Sequence, residues 1–592
     1  MSKLVAPLRQ YVEQEYEAQL KRHRALWRRR IEERVDSGLA IANVTVAEFD
    51  RDSAVLGLVD NRAQFGVGDR MRLSRNDPEG AFISCVLERE DGARLVVSPG
   101  HLQTFRKLSR SSGWTLDADL VDPRQPLLAA LDELSTGRSA NARQAARVLD
   151  GAKPEVERAR EAQSQQYAAR LRLEVDQREA LIRGRSTTSY WVVQGAPTTG
   201  KTRVLAELAA ALAREGQRVY ITGPDDFSVN EALRTVVAVT GHRLVRKIGD
   251  TRRLEGLAEG EVSVPVHETF VQSALHATDR GMVIGGLPAA ARVDTSLAAV
   301  QFDTVLIDDA ERVTLPEAVA AMLMAPRYIF FGDPAGPTAR VYGAYKQRDM
   351  LASSLAFFAK RINPTVLDAS FHLNDQLADF PSQVFYSRLL RSWPGVARRR
   401  LELKTDPPWP RFQEAFDPAF SSVFIETEHR GADMVSEAEA KVAAWLATVL
   451  VIGCEYPANQ VAVISPYRAQ ARLIRDGVVE LAESRGAPFP SEILFGTPED
   501  MRTRGRDVVI VSLVTSDLRR AFARGDDVFS LRRLNLALTR AAVKRIFIGS
   551  PYLFTATPPD LSMGGWLTVV RQLAEQSRRV PIKLRGAKAP RA

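Results

Sequence analysis

The sequence predicts an α/β protein: two tandem domains built on parallel sheets, preceded by a long N-terminal helix and a small β-barrel. Three observations carry this. From about residue 186 onward, apolar runs rich in Val, Ile and Leu alternate with helical stretches, the texture of parallel strands buried on both faces. Between residues 39 and 110 the runs are short, closely spaced and broken by turn residues, which suits a small barrel or sandwich. The 592 residues supply material for about three to five domains.

Taken in order, residues 8 to 35 read as one helix closed by Gly38, within an N-terminal stalk of residues 1–38. Its charges change sign along its length, from Glu13, Glu15 and Glu17 to Lys21, Arg22, Arg24, Arg28, Arg29 and Arg30. Such a run is either a solvated face or a contact for a polyanion. Residues 39–120 hold the barrel runs LAIANVTVAEF, AVLGLVD, FGVGDRMRLS, FISCVLERE and ARLVVSP. Residues 121–170 are polar and helical and read as a linker. The first α/β domain is expected over 171–358, with strands YWVVQ, RVYITG, TVLIDD and YIFFGD. The second is expected over 359–580, with strands TVLDAS, SVFIET, QVAVISP, DVVIVSLV and RIFIGS, followed by a basic irregular tail over 581–592.

Composition narrows the class of protein. Lys and Arg outnumber Asp and Glu by 81 to 72, a net charge of +9. A basic balance suits polyanionic partners, although a coding bias toward arginine gives the same count. Two cysteines, Cys85 and Cys454, support neither a disulfide framework nor a four-thiolate zinc site, and point to a reducing compartment. No apolar run approaches the ~18–20 residues of a membrane span, and the first residues lack a signal-peptide core. The expectation is a soluble cytoplasmic protein with no membrane partner.

The strongest motif is Gly195-Ala-Pro-Thr-Thr-Gly200-Lys201-Thr202, which follows an apolar strand and opens an Ala/Leu-rich helix. Glycines let such a loop wrap a phosphate, and its amides and the helix N-terminus supply positive potential. Here Gly195, Thr199 and Gly200 are expected to line the loop. Lys201 would reach the β- and γ-phosphates of ATP, and the Thr202 hydroxyl would ligate Mg²⁺. The strand Val305-Leu306-Ile307 ends in Asp308-Asp309. Downstream of a phosphate loop, the first carboxylate is expected to order Mg²⁺ and the second to position the attacking water.

With these motifs in hand, the chain resembles the Upf-like helicases, in the 5′-to-3′ branch of superfamily 1. The resemblance runs from about residue 170 to 550, and implies two RecA-like domains with the stalk and barrel as accessories. Leu173-Glu-Val-Asp-Gln177 is similar to the family leader whose glutamine reads adenine. Val219-Tyr-Ile-Thr-Gly-Pro224 resembles its first strand-contacting segment. Phe302-Asp-Thr-Val-Leu-Ile-Asp308-Asp309-Ala310 resembles the Mg²⁺ motif, and Phe331-Gly-Asp-Pro334 follows it. Phe380-Pro-Ser382 with Phe385-Tyr386, and Ile464-Ser-Pro-Tyr-Arg-Ala-Gln470, match two further segments. Arg532-Arg-Leu-Asn-Leu-Ala-Leu-Thr-Arg540-Ala541 matches the last motif, which implies that Arg540 is the arginine that meets the γ-phosphate.

Four positions depart from the family pattern. Asp309 stands where the family has glutamate, and the shorter carboxylate is expected to hold water less well. Gly336 stands in place of a glutamine, which would remove a polar link between γ-phosphate and nucleic acid. Ser370-Phe371-His372 stands for Gln-Tyr-Arg: Phe371 keeps an aromatic for adenine, whereas His372 gives up a permanent charge. Arg502-Thr-Arg-Gly505 replaces a segment that serves the ribose and phosphate, leaving two arginines for nucleic acid, a partner or solvent.

The expected function is an ATP-dependent translocase or helicase on single-stranded nucleic acid, DNA ahead of RNA, with Lys201, Asp309 and Arg540 catalytic. The rival, favoured by the eroded motifs, is an ATP-dependent switch or scaffold with protein partners in a nucleic-acid-processing or genome-defence assembly. Among other residues, His101, His242 and His276 show no metal-ligand spacing and are expected to be ordinary. Trp27 and Trp445 are expected in the core. Trp393 and Trp409 flank an Arg- and Pro-rich loop that either tracks a strand by stacking or is an insertion on the second domain.

Overall fold

The computed structural model describes residues 2–100, 105–241, 245–249, 266–267, 281–408, 410–501, 505–523, 529–555, 557–558 and 561–582. The chain divides into two compact units. The first comprises Met1–Ala18, Asp122–Phe371 and Phe385–Trp393. The second comprises Gln19–Val121, His372–Val384 and Pro394–Ala592.

The predicted N-terminal helix is two helices, Val5–Trp27 and Ile31–Asp36. The break falls at Arg28–Arg30. In the second helix Arg34 is almost wholly buried in an ion pair with Asp117. Glu15 is buried too, and accepts the N–H groups of Tyr342 (2.8 Å) and Gly343 (3.0 Å) within the first unit. Trp27 is core, as predicted, and its indole donates to the Ala118 carbonyl at 3.1 Å.

The barrel forms as the sequence predicts. Strands β1 (Ala40–Phe49), β2 (Ala54–Gly57), β3 (Arg70–Ser74), β4 (Phe82–Asp91), β5 (Arg94–Pro99) and β6 (Trp114–Ala118) close in the order β1-β2-β5-β4-β3-β6. Closure removes free edges, and Val44, Leu56, Met71, Leu73, Val97 and Leu116 fill the interior. The barrel is fastened to the α/β part of the second unit by the helix Arg468–Glu483. From that helix Arg472 forks onto Glu90 and the Ala63 carbonyl, and the Arg468 N–H meets Gln64.

Residues 121–170 are no linker. The helices Arg124–Thr136 and Ala140–Leu149 bury Leu127, Leu131, Leu134, Val148 and Leu149 in one core with Val319 and Met322. Their apolar positions recur at helical spacing, which the polar average of the segment hides.

The first sheet holds β7 (Tyr190–Gly195), β8 (Arg218–Thr222), β9 (Val245–Ile248), β10 (Val266–His267), β11 (Met282–Gly285), β12 (Thr304–Ile307), β13 (Tyr328–Gly332) and β14 (Thr365–Leu367). The order is β10-β9-β11-β8-β12-β13-β7-β14, parallel throughout. This corrects the expected boundary at 358/359. The run TVLDAS belongs to the first unit, because β14 pairs with β7 and the Phe371 N–H then bonds the Thr198 carbonyl at 3.0 Å. Strands β15 (Ala369–Ser370) and β16 (Arg391–Ser392) form a short parallel pair beyond it.

The second sheet holds β17 (Ser422–Glu426), β18 (Val461–Ile464), β19 (Leu494–Gly496), β20 (Arg506–Ser512), β21 (Ala541–Gly549) and β22 (Arg578–Pro581). Its order is β19-β18-β20-β21-β17-β22, again parallel. The last strand carries the sheet one residue into the tail expected over 581–592. Pairing with β17 recruits Arg-Arg-Val-Pro, which has no apolar run of its own. Residues 583–592 of the expected tail lie outside the described residues. Two tandem RecA-like sheets preceded by a helix and a barrel are thus the architecture. Cys85 and Cys454 are buried free thiols, with burial pushing both up from the usual range.

Candidate nucleotide-binding site

The site starts where β7 ends. Between Gly195 and the helix Lys201–Arg214, Thr198 (φ 64°) and Gly200 (φ 86°) take left-handed backbone, which turns successive N–H groups toward one concavity. A Cβ at Gly200 would overlap the Gln177 amide, so glycine is required twice over. Thr199 spends its hydroxyl on the Ala196 carbonyl (2.8 Å), bracing the loop from inside. Lys201 Nζ lies over the loop, donating to the carbonyls of Gly195 (2.8 Å) and Ala196 (3.0 Å). An ammonium parked on neutral carbonyls is poised to exchange them for phosphate oxygens.

Four residues gather beside the loop. Gln177 is buried and caps the loop: its Nε2 donates to the Thr199 carbonyl (3.0 Å), and its Oε1 accepts the Glu174 N–H (3.2 Å). Phe371 sits beside Gly200, and its ring meets that of Trp393 at 5.6 Å between centroids. Trp393 is fixed by its indole N–H on Glu174 at 2.8 Å. Neither reading of the tryptophan loop anticipated this: Trp393 belongs to the first unit, on the short pair β15–β16. Trp409 lies outside the described residues, as do His101, His242, His276 and Arg502–Arg504.

Three acidic residues follow β12. Asp308 Oδ2 accepts from the Thr202 hydroxyl at 3.4 Å, so the two expected Mg²⁺ residues face each other. Burial first, and the neighbouring Asp309 charge second, push the Asp308 carboxyl up to about 7, against the pull of Lys201. A buried carboxyl with so little compensation fits a cation, and a hydroxyl and a carboxylate are the hard oxygen donors that Mg²⁺ takes. Among the described residues no group of three or more His, Cys, Asp or Glu is placed to hold another metal.

Asp309 is in left-handed backbone (φ 47°), and its Oδ2 accepts from the Ser228 hydroxyl at 2.8 Å, with Arg312 Nη1 at 3.8 Å. Glu311, which the sequence reading passed over, is buried against the Gly332-Asp-Pro turn. There its Oε2 accepts the Asp333 N–H at 3.0 Å. A Cβ at Gly336 would come within 2.9 Å of Glu311 Oε1. The room left by the absent glutamine is therefore taken by a carboxyl from the preceding motif. Burial and the charges of Asp309 and Asp333 hold that carboxyl well above the usual range. Asp333 also receives the Tyr386 hydroxyl at 3.0 Å, which ties the Phe385-Tyr386 segment to the same turn.

The remaining predicted site residue, Arg540, lies on the second unit, between the helix Leu531–Leu538 and β21. Its carbonyl accepts two donors, His372 Nε2 and the Arg506 N–H, both at 3.0 Å. A carbonyl can only accept, so His372 carries its proton on Nε2. Burial lowers its basicity, and the charges of Arg540 and Arg399 add to this, against that hydrogen bond and the Asp507 carboxylate. The imidazole is neutral and structural, not the phosphate clamp of the family pattern. A Cβ at Gly505 would run into the same ring. Gln470, from the Pro-Tyr-x-x-Gln segment, is spent on Ser436 (2.9 and 3.0 Å) and Ser512 (3.0 Å).

Against known proteins, residues 350–552 match a family model described as an AAA domain. The chain is 25% identical over 411 residues to the regulator of nonsense transcripts 1 homolog of Arabidopsis thaliana, covering 62% of this chain and 32% of that protein. It is 26% identical over 250 residues to Helicase SEN1 of Saccharomyces cerevisiae (41% and 11%). It is also 24% identical over 397 residues to the DNA replication ATP-dependent helicase/nuclease JHS1 of Arabidopsis thaliana (65% and 29%). These matches support a likeness to the Upf-like superfamily 1 helicases. The chain spans about a third of the length of the regulator homolog and of the helicase/nuclease that it matches. No helix among its described residues is long and apolar enough to cross a membrane.

Proposed function

We propose that the protein hydrolyses ATP with Mg²⁺ and uses the cycle to move along single-stranded nucleic acid, in the 5′-to-3′ sense of the family it resembles. The observation that supports this most is the facing of Thr202 and Asp308 beneath a loop whose lysine is held only by neutral carbonyls. In this reading Gln177, Gly195, Thr199, Gly200 and Lys201 cradle the phosphates, and Phe371 and Trp393 take the base. Thr202 and Asp308 hold Mg²⁺, which when bound neutralises charge on the phosphate oxygens. Asp309 orients water, and Arg540 supplies the charge that the resemblance assigns it. The track is bound through phosphates and stacking, with DNA ahead of RNA.

A second reading has one specific observation behind it. Asp309 is engaged by Ser228 and Arg312 rather than presented to the loop, which suits a nucleotide-dependent switch that turns over slowly and recruits protein partners. One experiment separates the two: ATP hydrolysis by the pure protein alone, with single-stranded DNA and with single-stranded RNA, using Lys201→Ala as blank. Stimulation by one polymer establishes the motor and names its track. Nucleotide binding with no turnover above the blank favours the switch.

A further inference from the structure

The hydroxyl of Ser228 stands between two carboxylates. It lies 2.8 Å from Asp309 Oδ2 and 3.0 Å from Asp225 Oδ1. A hydroxyl has one proton, so it donates fully to one of them at a time. Arg312 spans the same pair, with Nη2 2.7 Å from Asp225 Oδ2 and Nη1 3.8 Å from Asp309 Oδ2. Asp225 is also the N-cap of the helix Asp226–Thr240, accepting the Ser228 N–H at 3.0 Å. That helix begins directly after Val219–Pro224, the segment similar to the family's first strand contact. The second carboxylate of the acidic pair is therefore linked, through one proton and one guanidinium, to the residue that directly follows the Val219–Pro224 segment.

Backbone geometry makes the wiring directional. Asp309 adopts left-handed φ, which an aspartate tolerates when its short side chain finds local hydrogen bonds. From that backbone the Asp309 carboxylate accepts the Ser228 hydroxyl at 2.8 Å.

We propose that Ser228 and Arg312 are positioning residues that hold Asp309 in a low-activity orientation, and that ligand contact at Val219–Pro224 releases it by drawing the Ser228 proton to Asp225. The inference rests on the ATPase reading above and adds its regulation. With Gly336 in place of the glutamine of the family pattern, this network is a substitute route to Asp309.

The test is steady-state ATP turnover of the full chain and of Ser228→Ala and Ser228→Thr, with and without the polymer that stimulates the wild type. Affinity for a fluorescent ATP analogue is measured in parallel. Ser228→Ala is expected to raise basal turnover several-fold and to shrink the stimulation factor toward one, with analogue affinity unchanged. Ser228→Thr, which keeps the hydroxyl, is expected to restore both. Unchanged basal rate and stimulation in Ser228→Ala, while the wild type is stimulated, overturns the clamp alone. A proportional loss of basal and stimulated rates that threonine does not rescue also overturns it, since a merely structural residue behaves that way. A wild type without turnover under any condition overturns the ATPase reading and the clamp together.

Discussion

The two units keep their nucleotide-site residues by different means. On the first, Lys201 on loop carbonyls, Thr202 on Asp308 and Gln177 on Thr199 hold both identity and partner, although Asp309 and Gly336 depart from the family pattern. On the second, identities have drifted but geometry has not. Arg540 is set by its backbone, pinned from two sides by His372 and the Arg506 N–H. His372 has lost the charge expected at its position and become a strut, and Gly505 has lost a side chain to make room for it. Residues that depart from the family pattern here still hold the backbone of Arg540 in place.

The sharpest way to break this comparison is to remove that arginine. If Arg540 is the charge the strut exists to aim, Arg540→Ala lowers kcat by about 10³-fold or more, the scale of arginine contributions to phosphoryl transfer. Affinity for an ATP analogue stays near the wild-type value. Lys201→Ala, by contrast, removes turnover and weakens binding, because it strips the cradle itself. Stopped-flow phosphate release and analogue titration give the two quantities. A kcat for Arg540→Ala within a few-fold of wild type would make the second-unit geometry a relic.

A smaller effect tests the strut. Adding a methyl at Gly505 drives it into the His372 ring, and overpacking of that kind costs about 1–3 kcal/mol. Gly505→Ala is expected to lower the urea midpoint accordingly. The double variant Gly505→Ala/His372→Ala removes the clash and is expected to recover part of the loss. That makes the two changes non-additive, as for residues in contact. Additive losses would show that His372 and Gly505 are not a coupled pair.

The sequence carried the fold well where periodicity was strong and poorly where pairing did the work. Strands such as TVLIDD and RIFIGS, each with an unbroken apolar run, needed no context. Arg578–Pro581 and Leu494–Gly496 become strands only because a neighbour offers them a ladder. The stretch 365–370 was legible as a strand, but the sheet it joins is a property of topology. At the site, Lys201, Thr202 and Asp308 were legible because phosphate chemistry fixes both residue type and spacing. Trp393, Ser228, Arg312 and Glu311 were not, since each acts across a fold contact that no local spacing encodes. Asp225 followed by Ser228 was the one available hint, as an N-cap signal at the start of a helix.

The mildest effect sharpens the first-unit side, through pH. Asp308 is held up at about 7 by burial and by Asp309, against an ordinary carboxyl value near 3.8. Between those values the folded protein binds a proton that the unfolded chain has released. Its contribution to stability is therefore present at low pH and gone once pH has risen through about 7. Cation binding has the opposite sign, because Mg²⁺ needs the ionised carboxylate. Affinity for Mg²⁺ in the presence of an ATP analogue is expected to rise with pH up to about 7, by as much as about tenfold per unit, and then to level. Calorimetry in two buffers of different ionisation enthalpy checks this directly: binding at pH 6.5 releases a proton in the wild type and not in Asp308→Asn. Proton release of equal size in both would place the titrating group elsewhere, and would leave Asp308 ionised before the cation arrives.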